Sequence, residues 1–207
     1  MNKKKFFNFD FNNKLYTNDF YVNKTNEEAF KVILNNKSNI YLSGPLKSGK
    51  SLLGNIWLKR FNAMKFSNNF EQIINSKRNI LIDNFELHEE EKIFHIINHC
   101  NSHNLNILII SNYLINENNI LLKDLISRIK VFFQIKINQP DDDMLLNILT
   151  KLFTEKQFII NSHEIFKYIL NRANRSYEEI HNIVNKLDNL SLEKKRQLTI
   201  PLIKEIL

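Results

Sequence analysis

The stretch YLSGPLKSGKSLLGN, Tyr41 to Asn55, decides the fold because it holds every glycine of the chain. Only three glycines occur in 207 residues, at positions 44, 49 and 54. Its centre, GPLKSGKS, matches the pattern G-x-x-x-x-G-K-[S/T], in which a loop wraps a polyphosphate. The apolar run NIYLS precedes it, and SLLGNIWLKRF follows it with helical periodicity. This order of strand, loop and helix predicts a phosphate-binding loop (P-loop).

Each fixed position of the loop has a chemical role. We expect Gly44 and Gly49 to adopt positive φ, so that backbone N–H groups close around phosphate oxygens. Lys50 is expected to reach the β- and γ-phosphates, and Ser51 to offer its hydroxyl to Mg²⁺. Gly54, inside the helix, is expected to allow close packing on the sheet. The predicted nucleotide contacts are Gly44, Pro45, Leu46, Lys47, Ser48, Gly49, Lys50 and Ser51. The alternative is a glycine turn that binds no ligand.

The remaining pattern of the chain separates two domains. The apolar runs NILIDNF, LNILIISN and IKVFFQIKI suit strands buried on both faces of a parallel sheet, and KTNEEAFKVILNN and HEEEKIFHIINHCNSH read as helices. Thr25 and Glu28 have capping-box spacing at the start of the first of these helices. From Pro140 onward four amphipathic segments follow one another. We predict a flexible tail at 1–15, a doubly wound α/β domain at 16–138 and a helical lid domain at 139–207.

Composition limits the functional classes. No apolar run of about 18 residues occurs, so no membrane span is expected. A single cysteine, Cys100, and the lack of a secretion-signal pattern predict a reducing, cytoplasmic location, with Cys100 as a small buried hydrophobe. The net charge of +7 is spread along the chain, which favours an AT-rich coding sequence over a dedicated nucleic-acid surface. His95, His99 and His103 are expected to form a solvated helix edge, the alternative being a metal site.

Polar residues at the strand ends are further candidates. Asp83 ends the run ILID in the manner of a Walker B strand and is expected to hold Mg²⁺ through water. Asn84 follows it, and an amide cannot act as a general base at neutral pH. Glu86 is expected to emerge from the strand with the wrong geometry to replace it. Asn112 either senses phosphate and orients water or is an ordinary strand end. Arg128, before the last strand, either reaches a neighbouring subunit's nucleotide or is solvated.

Taken together, these motifs resemble the AAA+ ATPase domain of the DnaA initiator family, and within it the Hda-type regulators that inactivate DnaA. The matching strings are GPLKSGKS, LIDNFE, IISN, DLISRI, KLFTEKQF and LTIPLIKEIL. The resemblance implies bound ADP or ATP with Mg²⁺, held through Ser51 and Asp83. It implies that Asn112 is sensor I and that Arg128 is an arginine finger acting in trans. Glu178 stands where the family has its sensor II arginine, and Arg175, three residues earlier, is the candidate nucleotide contact there.

The same resemblance implies two protein partners, the initiator DnaA and the DNA polymerase sliding clamp. The clamp contact would use Phe7, Phe9 and Phe11 in FFNFDF; a disordered tail or an edge strand are the alternatives for this segment. Self-association is left open. The sequence stops after the lid, where DnaA has its DNA-binding domain, so sequence-specific DNA binding is not expected.

Three functional hypotheses follow. The first is a negative regulator of replication initiation that binds nucleotide, docks on the clamp and promotes hydrolysis of DnaA-bound ATP, with weak or absent ATPase activity of its own. The second is an autonomous P-loop ATPase that acts as a helicase loader or an initiator-like remodelling factor. The third is a binding module whose P-loop is vestigial.

Overall fold

The computed structural model describes residues 20–35, 38–67, 70–116, 120–160 and 162–207. In these ranges the chain forms a parallel sheet covered by helices, followed by a group of four helices. The predicted α/β domain with a helical lid is therefore confirmed. The predicted tail and the aromatic side chains Phe7, Phe9 and Phe11 lie outside the described residues.

All strand pairs of the sheet are parallel, and the order is β2-β3-β4-β1-β5. The strand β1 lies between β4 and β5, so the chain crosses over the sheet between consecutive strands. Because the strands are parallel, the loops that follow them lie at the same edge of the sheet. The strand β2 was not predicted, because two residues are too few to show a pattern. The strands are β1 Ile40–Ser43, β2 Met64–Lys65, β3 Ile80–Ile82, β4 Ile107–Ser111 and β5 Phe133–Lys136.

Nine α-helices lie in the described ranges. They are α1 Glu27–Asn35, α2 Lys50–Arg60, α3 Phe70–Ser76, α4 Glu90–Ser102, α5 Lys123–Ile129, α6 Asp142–Glu155, α7 Glu164–Leu170, α8 Tyr177–Lys194 and α9 Ile200–Ile203. The sequence missed α3 and α5, each of which is only seven residues long. The capping box predicted at Thr25 is not formed as expected, because the Thr25 hydroxyl donates to Asn23 Oδ1 at 2.6 Å.

The two faces of the sheet are buried by different helices. Strand residues alternate between them, as the pleat of a strand requires. Ile40, Leu42, Leu81, Leu108 and Ile110 share one core with Leu53 and Trp57 of α2 and with residues of α1. Tyr41, Ile80, Ile82, Ile107 and Ile109 share the other with Ile93 and Ile97 of α4 and with residues of α5. Both faces are thus covered, which explains why the strands are continuous apolar runs.

The lid helices α6 to α9 have a core of their own and also touch the start of the described chain. Tyr21 Oη donates to Asp143 Oδ2 at 2.7 Å, and Asn23 Nδ2 donates to Asp141 Oδ1 at 2.9 Å. The Tyr177 ring of α8 is buried in the core beside α2. These contacts hold the lid next to the loop between β1 and α2.

Two predictions from composition concern the single cysteine and membrane helices. Cys100 is fully buried in α4, and burial raises the pKa of its thiol to about 12, so it behaves as the small hydrophobe that was expected. Within the described ranges, no helix combines the length and apolar composition needed to cross a membrane.

Candidate nucleotide site

The loop between β1 and α2 has the strained backbone that its glycine pattern predicts, but at one glycine only. Gly49 has φ of 88°, and Lys47 also adopts a left-handed conformation with φ of 61°. Gly44 does not have positive φ, so that prediction was wrong. A Cβ at Gly44 would instead lie 2.9 Å from Ile137 Cβ, and close packing against β5's continuation is the reason for glycine there.

Gly54 confirms its predicted packing role. A Cβ at this position would lie 2.6 Å from Ile110 Cδ1 and 3.3 Å from both Leu81 methyl groups. Real Cβ atoms do not approach other carbons so closely. The missing side chain lets α2 rest directly on β3 and β4, which brings the start of α2 over the strand ends.

The interior of the loop fits a polyphosphate. Helix α2 begins at Lys50, inside the loop motif, and a helix N-terminus favours negative charge. The Ser48 hydroxyl is buried and has no hydrogen-bond partner among the described residues. The Lys50 ammonium donates to the carbonyl oxygens of Gly44 and Pro45 at 2.8 and 2.6 Å. Burial lowers the pKa of Lys50 to about 8. A phosphate oxygen would give both Ser48 and Lys50 the charged partner that they lack.

Asp83 and Ser51, the two residues predicted to hold Mg²⁺, are in contact with each other. Ser51 Oγ donates to Asp83 Oδ1 at 3.1 Å, and the aspartate is buried at the end of β3. A hydroxyl and a carboxylate are the oxygen ligands that Mg²⁺ accepts, directly or through water. Lys65 was not among the predicted site residues, and its ammonium lies 3.2 Å from Asp83 Oδ2.

Glu86 corrects another expectation. Asn84 takes a left-handed conformation with φ of 52°, and a 3₁₀ turn at Phe85–Leu87 follows it. This reversal brings Glu86 back to the end of β4, where its Oε1 accepts a hydrogen bond from Ser111 Oγ at 2.7 Å and another from the Asn112 N–H. Its charge also acts to raise the pKa of Lys50, so the carboxylate lies within electrostatic range of the P-loop lysine. The prediction that Glu86 has an unsuitable geometry assumed that the strand continued straight past Asp83.

Asn112 lies at the carboxyl end of β4. It directly follows the last residue of β4, at the same edge of the sheet as the P-loop, and its side chain is half-buried. Its backbone is held by Glu86. The role of sensor I stays a prediction.

Arg128 lies at the opposite edge of the sheet. It belongs to the last turn of α5, just before β5, and Phe133 at the start of β5 pairs with Ile40 at the start of β1. The Arg128 guanidinium lies over the Phe94 ring, 4.9 Å from its centroid. Both line a cavity of about 580 Å³ together with Asn39, Asn101, Asp124, Ser127, Val131 and Phe132.

In the lid, His181 rather than Arg175 shows an electrostatic effect of the P-loop. Arg175 pairs with Asp142 at 3.0 Å, and both side chains are mostly exposed, so its nucleotide contact stays a prediction. Burial, and after it the positive charge of Lys47, lower the pKa of His181 in α8. His181 therefore lies within electrostatic reach of the P-loop. Its position three residues after Glu178, on the same helix face, was the signal available in the sequence.

The histidines of α4 interact with one another. The rings of His99 and His103 lie 4.2 Å apart, and His103 Nδ1 is 2.8 Å from the His99 carbonyl oxygen. No group of three or more potential metal-ligating His, Cys, Asp or Glu side chains converges in the described part of the chain.

Two sequence comparisons match parts of this chain. Residues 142–207 match the family described as "Hda, lid domain". The chromosomal replication initiator protein DnaA of Buchnera aphidicola subsp. Cinara cedri is 32% identical over 87 residues. That match covers 42% of this chain and 20% of the initiator, so the chain corresponds to a small part of that relative.

Solved structures agree on the fold. Domain III of the Thermotoga maritima replication initiation protein DnaA superposes with a TM-score of 0.71 at 15% identity, covering 91% of this chain and 93% of that one. AMPPCP-bound DnaA from Aquifex aeolicus gives a TM-score of 0.61 at 17% identity, covering 86% of this chain and 66% of that one. At these identities the likeness shows the fold alone.

Proposed function

We propose that the chain is a DnaA-like AAA+ protein with a lid of the Hda type, and that it acts as a nucleotide-bound negative regulator of the start of DNA replication. Adenine nucleotide, ADP or ATP, binds in the P-loop between Gly44 and Ser51. Mg²⁺, when bound, is held by Ser51 and by Asp83 through water, and it neutralises phosphate charge. The chain then contacts ATP-bound DnaA and promotes hydrolysis of that ATP.

The separation of the P-loop from Arg128 carries this proposal. The P-loop follows β1 and Arg128 precedes β5, and these two strands are parallel neighbours. A strand of four residues is about 13 Å long, so Arg128 and the P-loop lie on opposite edges of the sheet. Arg128 therefore cannot serve the nucleotide of its own chain. Its exposed guanidinium is available to a nucleotide on a second protein, where it would stabilise the charge of phosphoryl transfer.

The same proposal includes docking on the sliding clamp through Phe7, Phe9 and Phe11. Docking would bring the chain to replicated DNA, where ATP-bound DnaA has to be inactivated. Removal of residues 1–15 tests this part separately. We expect the truncated chain to keep its nucleotide and to lose both clamp binding and the clamp-dependent share of DnaA inactivation. Unchanged clamp binding by the truncated chain would contradict this part.

Arg128→Ala tests the central step. Loss of an arginine finger lowers phosphoryl-transfer rates by about 10³-fold or more, so stimulated hydrolysis of DnaA-bound ATP should fall to its basal rate. Arg172→Ala is the matched control, because Arg172 also stacks on an aromatic ring, 3.7 Å from the centroid of Tyr168, but lies in the lid. If Arg128→Ala stimulates DnaA as well as the wild type does, the finger role is wrong.

The position of Glu86 favours a second candidate, an autonomous ATPase. Its carboxylate accepts a hydrogen bond from the Asn112 N–H and lies within electrostatic range of Lys50, where a general base could activate water in place of Asn84. ATP turnover by the purified chain, without DnaA or clamp, would support this candidate. Glu86→Gln should then abolish turnover, since an amide accepts no proton.

A nucleotide titration tests the hypothesis that the P-loop is vestigial. At 100 times its Kd, a ligand stabilises the folded state by about 2.7 kcal/mol. We therefore expect ADP to raise the unfolding temperature of the wild type but not that of Lys50→Ala. No shift with either nucleotide would leave only the binding-module hypothesis.

A further inference from the structure

Protein donors already occupy both oxygens of the Asp83 carboxylate. Ser51 Oγ and the Asn84 N–H each donate to Oδ1 at 3.1 Å, and the Lys65 ammonium lies 3.2 Å from Oδ2. The aspartate side chain is only 6% exposed. Water molecules bound to Mg²⁺ would have to share these same oxygens if Asp83 holds the metal as predicted.

Strand β2 holds Lys65 in this position. The residues on either side of it are bonded to the segment that carries Asp83: Met64 N–H donates to Asn79 O and Phe66 N–H to Leu81 O, each at 2.7 Å. Lys65 itself is in parallel register with Leu81, two residues before Asp83. The backbone of Lys65 is therefore fixed beside β3, and only its side chain can move away from the carboxylate.

The site thus separates two positive charges. The Lys50 ammonium donates to the loop carbonyls of Gly44 and Pro45, and it contributes to the field at Asp83 only from a distance. Among the described residues, Lys65 is the lysine that forms an ion pair with Asp83. One ammonium is thereby available to the phosphates while another neutralises the acidic residue next to them.

We propose that Lys65 is a built-in counter-ion that makes nucleotide binding by this chain largely independent of Mg²⁺. This inference rests on the proposed nucleotide binding. A polyphosphate entering beside an uncompensated carboxylate is repelled, and bound Mg²⁺ ordinarily offsets that repulsion. The Lys65 ammonium offsets it without metal. It also repels the dication and competes with its water molecules for Asp83 Oδ2.

The ion pair can be removed without loss of the fold. The Lys65 side chain is 55% exposed, and the buried Asp83 carboxylate keeps its hydrogen bonds from Ser51 Oγ and the Asn84 N–H when the ammonium is removed. Lys65→Met keeps most of the side-chain length and removes the charge. A change in ligand binding by this variant would therefore report on the site and not on unfolding, and its unfolding temperature checks this.

Calorimetric titration with ADP, in Mg²⁺ and in EDTA, tests the proposal. For the wild type we expect the two dissociation constants to agree within about threefold. For Lys65→Met we expect binding at least about tenfold weaker in EDTA, with Mg²⁺ restoring it, because only the metal then offsets the repulsion. Lys65→Arg keeps the charge and should follow the wild type. Lys92→Met is the matched control, since Lys92 is another exposed lysine in an ion pair, with Glu89 at 2.7 Å, outside the site.

The outcomes separate this inference from the proposed function. A gain of tenfold or more from Mg²⁺ in the wild type itself overturns the inference and leaves nucleotide binding intact. The same holds if Lys65→Met and the wild type respond equally to Mg²⁺. If ADP and ATP bind to neither protein under either condition, the proposed nucleotide binding fails, and the inference fails with it.

Discussion

The Arg128 guanidinium lies 4.9 Å from the centroid of the Phe94 ring, so a residue of α4 holds the side chain expected to act on a partner. Phe94 is half-buried and packs against the core beneath α4. The ring restricts an otherwise exposed side chain of α5. A restricted arginine loses less conformational entropy when it meets a second protein's nucleotide. The contact therefore links packing at one edge of the sheet to the proposed action in trans.

Phe94→Leu should weaken this restriction while it keeps the core filled. An exposed cation–π contact contributes about 0.5–1 kcal/mol, so the stimulated hydrolysis of DnaA-bound ATP should fall about two- to fivefold. Binding of nucleotide to the chain itself should not change. The rate is measured with excess DnaA, and Phe94→Tyr, which keeps the aromatic face, is the control. Equal rates for the Leu and Tyr variants would contradict a positioning role for Phe94.

Gly54→Ala should destabilise the chain although alanine is the better helix former. The new Cβ would lie 2.6 Å from Ile110 Cδ1, and overpacking of this kind costs about 1–3 kcal/mol. Part of the cost is offset by the gain of about 1 kcal/mol from replacing glycine inside a helix. We expect a lower free energy of unfolding in urea.

The double variant Gly54→Ala/Ile110→Val checks the mechanism, because valine lacks the clashing Cδ1. Its free energy of unfolding should be about 1 kcal/mol higher than the value obtained by adding the effects of the two single substitutions, as expected for residues in contact. Simple additivity would show that the cost arises elsewhere.

The P-loop could be predicted from the sequence because its determinants are local. Gly49, Lys50 and Ser51 are consecutive, and the apolar run before them and the helical pattern after them identify the elements on both sides. Lys65 and Glu86 could not be predicted. The first stands on a two-residue strand that exists only because β3 pairs with it, and the second depends on the left-handed turn at Asn84.

The same difference between features set by neighbouring residues in the chain and features set by packing holds at the opposite edge of the sheet and in the lid. Arg128 was identified by its neighbours in the chain, whereas its contact with Phe94 requires the packing of α4 on α5. Conversely, the lid helices were predicted well, since amphipathic periodicity over α6 and α8 is long enough to read. The electrostatic effect of Lys47 on His181 of α8, by contrast, depends on how the lid packs, including its hydrogen bonds with Tyr21 and Asn23.

Asp141 should make the stability of the lid depend on acid pH. Partial burial acts to raise the pKa of its carboxyl, but hydrogen bonds from the Met144 N–H, Lys24 and Asn23 outweigh it and hold the pKa below the ordinary value of 3.8. A group with a depressed pKa in the folded state stabilises that state above its unfolded pKa. This contribution should be lost as pH falls below 3.8 through the folded value.

Asp141→Ala removes both the cap of α6 and this pH dependence. Loss of an N-cap costs about 1 kcal/mol, so the variant should be less stable than the wild type at pH 7. On acidification, its free energy of unfolding should fall by less than that of the wild type. Urea unfolding at neutral and acid pH measures both effects. Asp142→Ala is the control, since Asp142 pairs with Arg175 at the surface. Parallel stability curves for Asp141→Ala and the wild type would contradict the assignment.

Lys50 should link nucleotide binding to proton uptake. Burial lowers the pKa of its ammonium to about 8 in the free chain, although Glu86 and Asp83 act to raise it. Bound phosphates favour the charged form, so the pKa rises on binding. Above pH 8 the free chain holds fewer protons than the complex, and affinity for ADP should therefore fall as pH rises, by at most about tenfold per pH unit.

Calorimetry at pH 8.5 in buffers of different ionisation enthalpy measures the proton directly. The apparent binding enthalpy should differ between Tris and HEPES by the fraction of a proton taken up. Lys50→Arg is the decisive comparison, because guanidinium stays protonated throughout this range and its complex should take up no proton at this site, whatever its affinity. If the wild type binds ADP equally well at pH 7.5 and 9.5, with no buffer dependence, then the Lys50 ammonium is already fully charged before nucleotide arrives. The loop carbonyls of Gly44 and Pro45 would then be enough to hold it charged.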